Sequence, residues 1–155
     1  MNGAIAMHER TTPVAHGWDR PGPATASWPL YAVLDLGALL TAPGCGRNWT
    51  GAILREWGLG RHADDAEMLV SELITNAVLA SRQRSDSAVQ LHLASDKDEL
   101  LIMVHDSAPG EPSPRHADNV SDSGRGLMIV EALSRRSGWY PTAGNSTGKV
   151  VWALL

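Results

Sequence analysis

Residues 66–82 read AEMLVSELITNAVLASR, and this stretch decides the fold. Wound at 3.6 residues per turn, Ala66, Leu69, Val70, Leu73, Ile74 and Ala77 fall on one stripe, which predicts a long helix with that face on a core. Glu72 and Asn76 project from a shared face, one turn apart, along the border of the stripe and not opposite it. A carboxylate and an amide beside a core are costly unless they have partners. Two readings are open from spacing alone: a border pair satisfied by water or backbone, or part of a site. Upstream, Asp64 and Glu67 stand three apart, the arrangement of a capping box with Asp64 as cap. The helix is expected to end near Arg84.

Before this helix, Leu30 to Leu36 (LYAVLDL) reads as a strand near a sheet edge. A further helix is expected from Pro43 or Gly46 to Trp57, with Trp49, Ile53, Leu54 and Trp57 at helical spacing and Gly58 and Gly60 stopping it. After it, Val89, Leu91 and Leu93 alternate with Gln90 and His92, a half-exposed strand in which His92 faces solvent. The turn SDKD leads into a more buried strand, ELLIMVH, so the two strands form an antiparallel hairpin. His105 ends that strand. No second ligand stands at metal-binding spacing from either histidine. Asp106 closes the hairpin, and the pattern then breaks from Ser107 to Ser123, a loop long enough to be functional or disordered. Ser123 is a candidate cap for a helix whose face carries Leu127, Val130, Ala132 and Leu133. Gly124 and Gly126 at its start suit an anion cradle, and a plain tight turn suits them as well. GWYP (138–141) and GKVVWALL (148–155) close the chain as two strands. The order predicts an α+β two-layer sandwich, a mainly antiparallel mixed sheet with three helices on one face.

Composition limits what this fold can do. The 155 residues suit one domain (29–155) behind a tail (1–28) that is rich in Pro, Gly, Thr and His and reads as flexible. Net charge is −4 with no dense Lys/Arg run, so nucleic acid is not an expected partner. Cys45 is alone, which rules out an intrachain disulfide and fits a reducing compartment. No apolar run reaches the length of a signal peptide or a membrane span, so a cytoplasmic protein without a membrane partner is expected. Of the six tryptophans, Trp49, Trp57 and Trp152 are expected in the core, and Trp18, Trp28 and Trp139 are candidates for a partner surface. A P-loop is excluded because GxxxxGK[ST] does not occur. No Gly-rich turn of the Rossmann type follows the first strand, and no GxSxG hydrolase motif is present.

In order along the chain, ELITNAV, VHDSAPGEP, SGRGLMIVEAL and GKVVW resemble the nucleotide-binding boxes of the gyrase/chaperone/histidine-kinase ATPase superfamily, the Bergerat fold. The closest likeness is to the bacterial anti-sigma-factor serine/threonine kinases, and it spans about residues 30 to 155. The resemblance implies a histidine-kinase-like ATPase fold with ATP and Mg²⁺ as cofactors. It implies that Asn76 holds Mg²⁺, that Glu72 acts as general base, and that Asp106 accepts the adenine amino group. It implies that Gly110, Gly124, Arg125, Gly126 and Leu127 line the nucleotide, with 107–123 as its lid. Its implied partners are a sigma factor and an anti-anti-sigma protein, the latter phosphorylated on Ser or Thr, and it implies a homodimer. The chain departs from the family pattern at Ala108, where a glycine is usual, at Ala80, where His is frequent, and at Val150, where Thr is frequent. The other reading is a partner-switching module that binds without catalysis. A sensor histidine kinase fits poorly, because His8 and His16 lie in the tail and no phosphoacceptor helices precede the ATPase-like region.

Overall fold

The computed structural model describes residues 28–82, 88–112, 126–142 and 148–155. In chain order the elements are β1 (Leu30–Gly37), α1 (Ala42–Glu56), a 3₁₀ turn (Gly60–His62), α2 (Ala63–Ser81), β2 (Ala88–Ser95), β3 (Leu100–Asp106), α3 (Gly126–Leu133), β4 (Arg136–Pro141) and β5 (Lys149–Leu154). The strands form one sheet in the order β1-β2-β3-β5-β4, and all four pairings are antiparallel. β1 is an edge strand, as its position in the sequence predicts. The fold is α+β, with the helix order expected from the sequence.

α2 sits at the centre of the helical layer. It packs between α1 and α3 and lies on β2 and β3. All six stripe residues, Ala66, Leu69, Val70, Leu73, Ile74 and Ala77, are buried. They meet Val89, Leu91, Leu93, Leu100, Ile102 and Val104, which point inward from alternate positions of the hairpin. Burying a Leu or Ile of this kind contributes about 1.5–3 kcal/mol, so this seam is the main apolar support of the fold. Close approach of α1 depends on Gly46, where a Cβ would stand 2.3 Å from Ile74 Cδ1. That contact explains how α1 accommodates a glycine in its interior, where glycine normally weakens a helix.

The end of α1 follows from its sequence. Trp57 is the C-cap and Gly58 takes φ +71°, the left-handed conformation that glycine adopts without strain. Leu59 N–H donates to Leu54 O at 2.8 Å and Gly58 N–H to Arg55 O at 3.2 Å, the paired bonds of a Schellman motif. Leu59 and Leu54 are both buried in the core, which supplies the hydrophobic contact of that motif. Gly60 does not share the stop; it opens the 3₁₀ turn.

α2 starts differently from the expected capping box. Its N-cap is His62, with no side-chain cap hydrogen bond, and Asp64 and Asp65 lie inside the first turn. The 3₁₀ turn runs into the helix, with Ala63 N–H donating to Gly60 O and His62 N–H to Leu59 O. Those backbone bonds replace a side-chain cap, and the two aspartates complement the positive end of the helix dipole. Glu67 does not reach back to Asp64; its Oε1 lies over Gly51 of α1, 2.7 Å from where a Cβ would stand. The last helical residue is Ser81 with Arg82 as C-cap, short of Arg84, which lies outside the described residues.

The face of the sheet away from the helices is also covered. Trp28, Ala94, Leu101, Met103, Val150 and Leu154 form a second buried cluster, with Tyr31, Tyr140 and Trp152 packed on it. This overturns two expectations. Trp28 is 5% exposed and belongs to the packing, not to a partner surface. His92, expected in solvent, is 4% exposed. Its Nδ1 pairs with the Tyr31 hydroxyl at 2.5 Å, across the β1–β2 ladder. The period-2 pattern was right; the assumption that water lies on the second face was not. Trp49 is buried and Trp57 is half-buried against the main core, while Trp152 flanks the second cluster and Trp139 is exposed. On α3, Val130 is buried and Leu127 and Leu133 are half-buried, but Ala132 faces outward. Cys45 is exposed. Among the described residues, no helix is long and apolar enough to cross a membrane. The tail up to Ser27 and the expected cap Ser123 lie outside the described residues.

Candidate functional site

Between α2 and the ends of β3 and β5 lies a cavity of about 360 Å³, within the usual range for small-molecule sites. Its apolar lining includes Leu73 and Ala77 from α2, Val104 from β3 and Val151 from β5, and Glu111 and Lys149 add charged groups. Asn76 and Asp106 line the same cavity, one from the helix and one from the strand end. The sequence therefore singled out two residues 30 positions apart that the fold brings together. Alternation explains the placement of Asp106. Ile102 and Val104 point toward the helices, so Asp106 does as well, one pleat beyond the last apolar residue of the core.

Asp106 is 1% exposed, and a buried carboxylate needs compensation. Compensation comes from Lys149, directly opposite on β5. Lys149 Nζ donates to Asp106 Oδ1 at 2.9 Å and to Ala108 O at 3.2 Å, and Ala108 N–H donates to the same Oδ1 at 2.9 Å. Both charges are nearly inaccessible, with side chains 5% and 2% exposed for Lys149 and Asp106. Both hydrogen bonds to the carboxylate end on Oδ1; Oδ2 accepts none among the described residues.

Gly148 makes the pairing sterically possible. It has φ +148°, and a Cβ there would stand 2.3 Å from Asp106 O and 3.2 Å from Ser107 Cα. Only a residue without a side chain lets β5 start against the end of β3 and bring Lys149 over Asp106. His105 points to the other face of the sheet, and its Nε2 would be 3.1 Å from the same Cβ. Burial is the main cause that pulls the His105 pKa below its ordinary value of 6.5; Asp106 opposes the shift and Lys149 adds to it.

The structure shows where the three departures from the family pattern lie. Ala108 is buried in the cavity wall and holds both partners of the ion pair through its backbone. Its φ is not positive, so the methyl group does not strain the turn. Val150 is fully buried in the far-face cluster, so a hydroxyl at this position would not enter the cavity. Ala80 lines the cavity and is exposed.

The remaining predicted residues divide. Glu72 is half-buried on α2, one turn before Asn76, and does not line the cavity. Gly110 takes φ +92° in the turn between two lining residues, Pro109 and Glu111, where a left-handed conformation calls for glycine. Gly126 is buried at the start of α3. Leu127 lines a neighbouring cavity of about 230 Å³, which shares Glu111, Pro112 and Val151 with the first. Gly124 and Arg125 lie outside the described residues. Lys149 was not among the residues expected at the site. Its signal was weak but present: one of only two lysines, next to a glycine, in an otherwise apolar closing strand.

A family model described as a histidine kinase-like ATPase domain matches residues 44–154. No curated protein matches the chain. The matched span contains every residue that lines the cavity.

Proposed function

We propose a function from one premise: the chain belongs to the histidine kinase-like ATPase family. Its cavity binds ATP with Mg²⁺, and the protein is an anti-sigma factor with serine/threonine protein kinase activity toward an anti-anti-sigma partner. One observation carries the binding half of this reading. Asn76 and Asp106 line one cavity together with apolar side chains from α2, β3 and β5, and among the described residues one carboxylate oxygen of Asp106 has no donor.

The residues fit the group. A flat base fits between Leu73, Ala77, Val104 and Val151, and Oδ2 of Asp106 is a fixed acceptor for an exocyclic amino group. Asn76 offers an amide oxygen, a hard ligand of the kind Mg²⁺ takes singly while phosphates and water complete its shell. Mg²⁺ held there would neutralise charge on the phosphates. Glu72 lies about 6 Å along the helix from Asn76, from four residues at 1.5 Å rise each. At that offset, one turn from the metal ligand, Glu72 serves as general base and accepts the proton of a Ser or Thr hydroxyl. The phosphate added to the partner introduces two negative charges and weakens the complex that carries it. Arg125 and the glycines at 124 and 126 take the phosphates, and the protein acts in the cytoplasm as a homodimer.

The test is to incubate the protein with Mg-ATP and a Ser/Thr-bearing antagonist and to follow phosphate on the antagonist. Transfer is expected, and Glu72→Ala should slow it by about 10²–10⁴-fold while ATP binding persists. Wild-type protein that binds ATP and transfers nothing would leave the partner-switching module as the function.

A further inference from the structure

Lys149 stands outside the residue set that the resemblance implies, yet it is one of the charged groups lining the cavity. An ammonium carries three donors. Two are committed, to Asp106 Oδ1 and to Ala108 O. Asp106 in turn has Oδ1 occupied twice and Oδ2 unused among the described residues. The pair therefore offers the cavity one acceptor and, beside it, one donor. A ligand edge that satisfies both carries a donor next to an acceptor. The 6-amino group and ring nitrogen N1 of adenine form such an edge.

We propose that Lys149 reads the base: its third N–H donates to N1 of adenine while Oδ2 of Asp106 accepts from the 6-amino group. The inference rests on the ATP-binding reading above. Three features of the chain support it. Gly148 has no Cβ to collide with Asp106 O, which lets the chain seat Lys149 over Asp106. Ala108 holds the lysine and the aspartate through its C=O and N–H, so both groups are oriented before a ligand arrives. Val150 is on the other face of the sheet and Val151 is apolar, so Lys149 is the side-chain donor that β5 brings to the cavity. Preorganised donors of this kind contribute to affinity because little ordering remains to be done on binding.

The test measures dissociation constants by calorimetry for Mg-ATP and for Mg-1-deaza-ATP, which replaces N1 with C–H, on wild-type protein and Lys149→Met. A charge-assisted hydrogen bond is worth about tenfold or more in affinity. Wild-type protein should bind 1-deaza-ATP at least about tenfold more weakly than ATP, and Lys149→Met should bind the two within about twofold of each other. Equal binding of both nucleotides by the wild type overturns the inference, as does an undiminished deaza penalty in the variant. Should the methionine variant fail to fold by circular dichroism, Lys149→Gln replaces it: its neutral amide is a weaker donor, so the penalty should shrink at least about threefold from the wild-type value, and an unchanged penalty again overturns the inference. Failure of the wild type to bind ATP at all would strike the ATP-binding reading itself, an outcome separate from equal binding of the two nucleotides.

Discussion

Two polar pairs lie on opposite faces of the same sheet, one buried and one partly buried. Asp106 and Lys149 sit on the helix face at one end of β3 and β5; Tyr31 and His92 sit on the other face, across β1 and β2. Each pair joins neighbouring strands, and each interrupts an apolar alternation. They differ in what lies beside them. Tyr31 and His92 pack at the margin of an aromatic cluster, their rings tilted by 48° at 5.9 Å. Asp106 and Lys149 border a cavity and retain a donor and an acceptor that no described residue uses. A buried polar pair enclosed by packing is structural. A pair with unused valences next to empty space is built to meet a ligand.

The sharpest way to break this comparison is to remove one partner from each pair. Asp106→Ala leaves the Lys149 ammonium buried without its counter-charge, and loss of one member of a buried pair typically costs about 3–5 kcal/mol. Thermal or urea unfolding should report that loss, together with loss of ATP binding. Gly148→Ala comes next. It places a Cβ 2.3 Å from a backbone carbonyl, which the sheet can relieve only by moving β5 away from β3. Overpacking of this type costs about 1–3 kcal/mol, and ATP affinity should fall with stability because Lys149 moves too.

On the far face, Tyr31→Phe removes one hydroxyl and its bond to His92. A stability loss of about 1 kcal/mol is expected, with ATP affinity unchanged within error by calorimetry. A large change in nucleotide affinity here would collapse the distinction between the two pairs. The smallest effect is pH-dependent. Burial lowers the His105 pKa from 6.5, so the folded chain resists the proton that the unfolded chain accepts. His105 therefore costs no stability above about pH 6.5, and stability falls as pH drops through that value toward the lowered folded pKa. Melting temperatures measured from pH 7.5 to 5.5 should decline more for the wild type than for His105→Gln.

The helical layer was legible in the sequence because its signals are local. The α2 stripe is a period-3.6 pattern inside one segment, and LREWGL encodes the end of α1 through a glycine at the left-handed position. Asp106 was legible as well, since it stands where a strand pattern stops. The site partner of Asp106 was not. Lys149 is 43 residues away, and their meeting depends on the register of β3 with β5, which no local pattern specifies. The far-face cover was hidden for a similar reason. Trp28 lies in a Pro- and Gly-rich stretch, and nothing nearby indicates that it folds back onto β3 and β5. The Asp64 cap failed because the preceding 3₁₀ turn already supplies the backbone bonds that a cap provides.

The proposed function stands or falls with ATP binding in the Asp106 cavity. Calorimetric titration of wild-type protein with Mg-ATP, alongside Asp106→Asn, tests it most directly. Saturable one-site binding to the wild type is expected, with at least about tenfold weaker binding to the variant, the loss of a charge-assisted hydrogen bond. No binding to the wild type at millimolar Mg-ATP, or equal binding to both proteins, would contradict it.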